Sequence, residues 1–221
     1  MKKTLLASAA LLSFAGTEFA SANCGMNGWS AGIHAGWMGT DGELKLGGTK
    51  LNDSTYSSAP VGVHLDWTRS AANSWLYGIG LATGYAFGTP SNSFGTTAIT
   101  GATSAKIELR PRWYGELNTR LGWNFHNRWA LYAILSGRVM NAKFSAKLYN
   151  GSAEVSRSSG TESVWAFGLG AGADAKVTER WTLGIKYRYF WDQSVTEGSG
   201  ATRTKMDLGS HTVIGALSYN F

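Results

Sequence analysis

The sequence predicts an all-β fold, an eight-stranded antiparallel up-and-down transmembrane β-barrel, and three observations predict it. Apolar and polar residues alternate with a period of two along eight stretches, the mark of strands with one apolar face. Those stretches are joined alternately by long polar segments and short turns. All ten tryptophans fall on the apolar face, most of them near a stretch end.

The chain of 221 residues opens with Lys2 and Lys3, an apolar run from Leu5 to Phe14 and the small triplet Ala20, Ser21, Ala22. That is the order of a secretory signal peptide, so residues 1–22 are expected to be removed and the mature barrel domain to occupy 23–221. Losing Lys2, Lys3 and Glu18 takes 20 basic and 14 acidic residues to 18 and 13, so the positive balance belongs to the mature part. No run of about 18 apolar residues follows, which excludes a transmembrane helix. A chain that still sits in a membrane must then be a closed barrel. The 29 glycines against 3 prolines suit a crowded barrel interior. Cys24 is the only cysteine, so no disulfide framework exists. Its place after the cleavage site raises lipid anchoring, but Ser21 and Asn23 depart from the lipoprotein pattern.

The first strand, 28–40, carries Trp29, Ala31, Ile33, Ala35 and Trp37 on one face and Ser30, Gly32, His34 and Gly36 on the other. Residues 41–56, rich in Gly, Asn, Asp, Ser and Thr, read as a long loop. Strand two, 57–69, sets Val61, Val63, Leu65 and Trp67 against Gly62, His64 and Asp66. The short break 70–74 leads to strand three, 75–87, with Trp75, Tyr77, Ile79, Leu81, Tyr85 and Phe87 outward of Gly78, Gly80 and Gly84. A second long loop is expected over 88–105. Strand four, 106–124, opposes Ile107, Leu109, Trp113, Leu117, Leu121 and Trp123 to Glu108, Arg110, Arg112, Glu116 and Arg120. Pro111 cannot donate to a ladder without a free edge, so a bulge is expected there, or a place above the bilayer.

After a turn at 125–128, strand five, 129–144, sets Trp129, Leu131 and Leu135 against Tyr132, Ser136 and Arg138. Residues 145–163 read as a third long loop. Strand six, 164–177, alternates Trp165, Phe167 and Leu169 with Gly168, Gly170, Asp174 and Lys176. Past a turn at 178–180, strand seven, 181–191, shows Trp181, Leu183, Ile185, Tyr187, Tyr189 and Trp191 against Lys186 and Arg188. A fourth long loop, 192–205, precedes the last strand, 211–221, with Val213, Gly215, Leu217, Tyr219 and Phe221 on one face. Trp29, Trp67, Trp75, Trp123, Trp129 and Trp181 lie beside turns, and Trp37, Trp165 and Trp191 beside loops. Two aromatic girdles at bilayer interfaces follow. A soluble barrel would leave these rings in water.

The segments Arg120–Val139, Val164–Phe190 and His211–Phe221 resemble the small bacterial outer-membrane β-barrels: opacity-type proteins, alphaproteobacterial surface antigens and OmpA-like transmembrane barrels. Ser136 and Gly137 stand where that pattern usually has a Gly pair. The resemblance implies an outer-membrane location in a Gram-negative envelope, short periplasmic turns and four extracellular loops. It implies insertion through the terminal strand, Val213 to Phe221, by the barrel insertion machinery. It also implies roles in envelope integrity, adhesion or immune exposure, sometimes haem binding, and no shared catalytic residue; no cofactor is expected for this chain.

Three groups could carry chemistry. The charged inner cluster Glu108, Arg110, Arg112, Glu116, Arg120, Arg138, Asp174, Lys176, Lys186 and Arg188 reads first as a paired polar core, since eight strands leave an interior that side chains fill. With seven bases to three acids, its alternative is a narrow anion-favouring channel. His34 and His64 lie opposite one another if Thr40 pairs near Ser58, with Asp66 beside them. Two imidazoles without a third ligand read as a hydrogen-bonded pair before a metal or haem site. Asp207 and His211 share a face near the outer rim, but no serine nucleophile stands beside them, which argues against lipid A hydrolysis or acyl transfer. The net charge of +6 suits lipopolysaccharide phosphates, besides membrane lipid and a surface partner for the loops. Nucleic acid is not expected for a secreted chain.

Overall fold

The eight alternating stretches are strands of one closed antiparallel sheet. The computed structural model describes residues 26–46, 49–71, 74–88, 91–95, 104–125, 128–150, 153–192, 195–197 and 204–221. Eight long strands build the barrel: β1 (Gly28–Leu46), β2 (Thr49–Ser70), β3 (Trp75–Phe87), β5 (Ser104–Phe125), β6 (Trp129–Asn150), β7 (Ala153–Lys176), β8 (Trp181–Asp192) and β10 (Thr204–Asn220). Each pairs with the next in the chain, and β10 returns to β1 from Ser30↔Asn220 to Leu46↔Thr204. Two short strands lie outside this circuit: β4 (Ser91–Gly95) on β5 and β9 (Val195–Glu197) on β10.

The short connections are tight turns. Ala71 N–H donates to the Trp75 carbonyl at 2.7 Å, with Ser74 in the left-handed region at φ 68. Arg128 N–H donates to Phe125 at 3.1 Å, and Trp181 N–H to the Thr178 hydroxyl at 3.1 Å.

The expected long loops are corrected. Residues 41–46 and 49–56 continue the β1–β2 ladder, and 145–150 and 153–163 continue the β6–β7 ladder. Parts of 88–105 and 192–205 belong to β4, β5, β9 and β10. Beyond the bilayer both strand faces meet water, so the apolar alternation that marks a strand disappears while its backbone pairing does not.

Pro111 sits at a register shift between Pro111 and Tyr114, where Arg112 and Trp113 on β5 oppose one residue of β6. The expected bulge is there.

Within the membrane-crossing part the faces are as the alternation predicts. Trp37, Trp75, Trp113, Trp123, Trp129, Trp165, Trp181 and Trp191 are exposed on the outer wall, with Trp29 and Trp67 half-buried and paired across β1 and β2. Trp181 and Trp191 stand at opposite ends of β8. At a rise of about 3.3 Å per residue and a tilt of about 40° their ten-residue separation covers about 25 Å of barrel height, the apolar band of such a barrel.

Spin labels test this orientation. Leu183 and Ile185 are 51% and 58% exposed on the outer wall, with Lys186 turned inward. Labels at Leu183 and Ile185 in a reconstituted bilayer are expected to relax with dissolved oxygen and not with a water-soluble nickel chelate. Labels at Gly184 and Lys186 should be shielded from lipid-borne oxygen; the reverse pattern refutes the orientation.

Candidate functional site

Interior side chains form a polar belt between two apolar layers. At the loop end Met38, Ala86, Tyr114 and Met140 pack together, and at the turn end Leu76, Ala130, Tyr132 and Ile134 do so with Met26 against them. A charge between such layers is desolvated and needs an opposite charge or hydrogen bonds.

The belt meets that need through Asp66, which is 2% exposed. Its carboxylate takes Arg120 at 2.5 Å and Lys186 at 3.4 Å, with the His64 ring at 3.9 Å. Arg120 also reaches Asp174 at 3.5 Å, and the Tyr132 hydroxyl donates to Asp174 at 2.7 Å. Glu116 pairs with Arg188 and accepts from the Ser136 hydroxyl at 3.3 Å. Arg138 lies 3.9 Å over the Phe190 ring centre and donates to the Ser210 hydroxyl at 2.6 Å. Glycines make room for the two rings: a Cβ at Gly168 would meet Phe190 at 2.6 Å, and one at Gly172 would meet Tyr132 at 2.5 Å.

Six of the ten charged residues expected inside converge here: Glu116, Arg120, Arg138, Asp174, Lys186 and Arg188. Lys176 is half-buried at the turn end. Arg112 is exposed, a correction caused by the bulge, which leaves it and Trp113 unmatched by one residue of β6. Above the bulge even positions of β5 pair with odd positions of β6, as in Glu108↔Ser145 and Arg110↔Lys143. The side chains of Glu108 and Arg110 lie outside the described residues.

His34 and His64 are both buried, but not directly opposed. Thr40 pairs with Tyr56 rather than near Ser58, so His34 faces Gly62 and His64 faces Gly32. Their ring centres are 5.7 Å apart. One ring nitrogen of His34 is 2.5 Å from the Tyr114 hydroxyl, and one of His64 is 2.8 Å from the Ser218 hydroxyl. The two Nε2 atoms are thus committed to different partners. Among the described residues no group of three His, Cys, Asp or Glu could hold a metal ion. A cleft of about 20 Å³ at the turn end, lined by Ser30, Asp66, Arg120 and Lys186, has room for about one water.

Val213, Gly215, Leu217, Tyr219 and Phe221 share the outer wall of β10, and Phe221 N–H donates to the Trp29 carbonyl at 2.9 Å. Cys24 and residues 1–22 lie outside the described residues. Sequence reading left Asp66 out of the charge cluster although it shares the inward alternation of His64. It also missed Asp41, which stands 3.6 Å from the His211 ring, and the Tyr187 hydroxyl 2.8 Å from the other ring nitrogen. The side chain of Asp207 lies outside the described residues.

The family described as outer membrane protein beta-barrel domain matches residues 5–221. No curated protein matches. Solved structures with a similar fold include Ail of Yersinia pestis, in complex with the heparin analogue sucrose octasulfate: 16% identity over 86% of this chain and 99% of that one, TM-score 0.40. The outer membrane protease OmpT of Escherichia coli shares 9% identity over 87% and 96%, TM-score 0.49. OprG of Pseudomonas aeruginosa shares 15% over 89% and 98%, TM-score 0.38.

The belt predicts an asymmetry between single and paired substitutions. Glu116→Ala leaves the Arg188 guanidinium buried without its carboxylate and should cost about 3–5 kcal/mol. Glu116→Leu with Arg188→Met should recover most of that loss. Urea unfolding of the refolded barrel in lipid vesicles measures both, and equal loss in the single and paired variants would contradict the pairing.

Proposed function

This chain belongs to the outer membrane protein β-barrel family and resides in the Gram-negative outer membrane, and on that premise we propose that it is a non-enzymatic surface protein. It contributes to envelope integrity or surface contacts through the hairpins that rise above the bilayer. Residues 1–22 are its signal peptide, and membrane lipid and lipopolysaccharide are its surroundings.

One observation carries this reading: the strands are far longer than the membrane requires. Crossing takes about 9–11 residues per strand. β2, β5 and β6 have 22 residues each and β7 has 24. About half of each therefore stands outside as ordered β-structure. Two of these extensions have an open side among the described residues. Residues 49–58 of β2 pair with β1 alone, and 153–165 of β7 with β6 alone. Each presents a row of backbone donors and acceptors, which a sheet edge offers to an added strand.

The interior supports the same reading over a channel. Four cations, Arg120, Arg138, Lys186 and Arg188, are set among three carboxylates, Asp66, Glu116 and Asp174, with apolar layers above and below. The Arg138–Phe190 stack fills the lumen near its loop end.

Two measurements test the proposal. Purified barrel in planar bilayers is expected to show no unitary conductance; a steady anion-selective pore would favour the channel instead. A variant in which residues 43–54 are replaced by a two-residue turn should still insert and shift in gel mobility on boiling, while losing attachment of whole cells to surfaces. Attachment at the unaltered level would remove the role assigned to this hairpin.

A further inference from the structure

On the outer wall where β1 meets β10, the side chains of Asp41, His211 and Tyr187 stand together as a polar cluster. His211 occupies the outer girdle, opposite Tyr189 on β8 and Gly39 on β1. Trp191 lies one pleat above it, opposite Gly209, and Trp37 one pleat below, opposite Val213. Asp41 is 3.6 Å from His211 Nε2, and the Tyr187 hydroxyl is 2.8 Å from His211 Nδ1.

The rings around this chain of contacts are placed by glycine. A Cβ on Gly39 would meet the Trp37 ring at 2.5 Å, and one on Gly209 would meet the Tyr189 hydroxyl at 2.8 Å. The His211 and Tyr189 ring centres are 4.7 Å apart. Below them, on the same seam, Ala35 and Gly215 form the floor of an apolar groove of about 580 Å³ walled by Ile33, Val61, Leu183 and Leu217. Gly215 is four residues from His211, about 13 Å along the strand.

We propose that this seam is a binding site for a sugar-headed lipid of the outer leaflet, with its ring hydroxyls on Asp41, His211 and Tyr187 and an acyl chain in the Ala35–Gly215 groove. Hydroxyls donate to a carboxylate and exchange hydrogen bonds with imidazole or phenol, so one polyhydroxylated ring can engage all three groups alongside the contacts they make with one another. A glycerol headgroup offers hydroxyls too, but on a flexible stem and without the apolar face of a ring, so a sugar ring is the better match. The exposed ring of Trp37 gives the apolar side of a sugar ring a flat surface at the interface. The inference rests on the outer-membrane location and not on the surface role of the hairpins, whose conductance and attachment tests are independent of it.

Native mass spectrometry of the full chain in detergent, titrated with lipid A or with phosphatidylglycerol, tests the site. The unaltered protein is expected to retain lipid A in preference to phosphatidylglycerol. Asp41→Ala, His211→Ala and Tyr187→Phe should each lower lipid A retention about fivefold, the size that losing one hydrogen bond gives. Gly215→Leu should do the same by filling the groove; a Cβ there meets nothing nearer than the Ala35 carbonyl at 3.8 Å, so the barrel accommodates it. Trp165→Ala, in the outer girdle on β7, should leave retention unchanged. Equal retention of lipid A by the unaltered protein, Tyr187→Phe and Gly215→Leu overturns the proposal, as does equal retention of the two lipids.

Discussion

Hydrocarbon leaves no place for an unpaired strand edge, and the ladder between β1 and β10 is what satisfies that constraint. An open sheet of these eight strands would expose two rows of backbone donors and acceptors to lipid, each unsatisfied group costing several kcal/mol by order of magnitude. Closure removes both rows. Within the bilayer it also gives every residue only two environments, lipid or lumen, and the rest of the membrane-crossing structure follows from that division. Leu, Ile, Val and Trp fill the wall, while Asp66, Glu116, Asp174 and their basic partners are confined to a narrow interior.

Confinement decides how the interior is built. Charges there have lost their water, so the belt is organised by mutual pairing around Asp66 and Glu116, and the two apolar layers limit solvent access to it. Tyr132 and Phe190 need the bare backbones of Gly172 and Gly168 beside them. The many glycines thus take part in filling the lumen. They are the spaces into which the large rings fit.

Much of this was legible in the sequence because lipid on one side imposes a strict alternation on the chain. Strand faces, turns, girdles and the disturbance at Pro111 follow from that. What was not legible has equally physical causes. A shift of two residues in the β1–β2 register keeps every side chain on its own face, so nothing in the pattern separates Thr40↔Tyr56 from a pairing near Ser58, and the offset of His34 from His64 was hidden. Above the bilayer both faces of a strand meet water, so the ladders continuing through residues 41–46 and 49–56, and 145–150 and 153–163, carried no strict apolar alternation. Asp41, read as part of a loop, could not then be set beside His211. The disturbance at Pro111 was visible, but its effect on the phase of Arg112 was not.

That phase change has a consequence for how the molecule tolerates alteration. β5 already carries one surplus residue between Pro111 and Tyr114, and the sheet absorbs it next to the outer girdle. A one-residue insertion or deletion on the outer side of this point swaps faces that both meet solvent. The same change below it exchanges Leu117 and Leu121 with Glu116 and Arg120, turning paired charges toward acyl chains. Length variation in this strand is therefore cheap outside the bilayer and prohibitive within it, and the bulge marks the boundary between the two regimes.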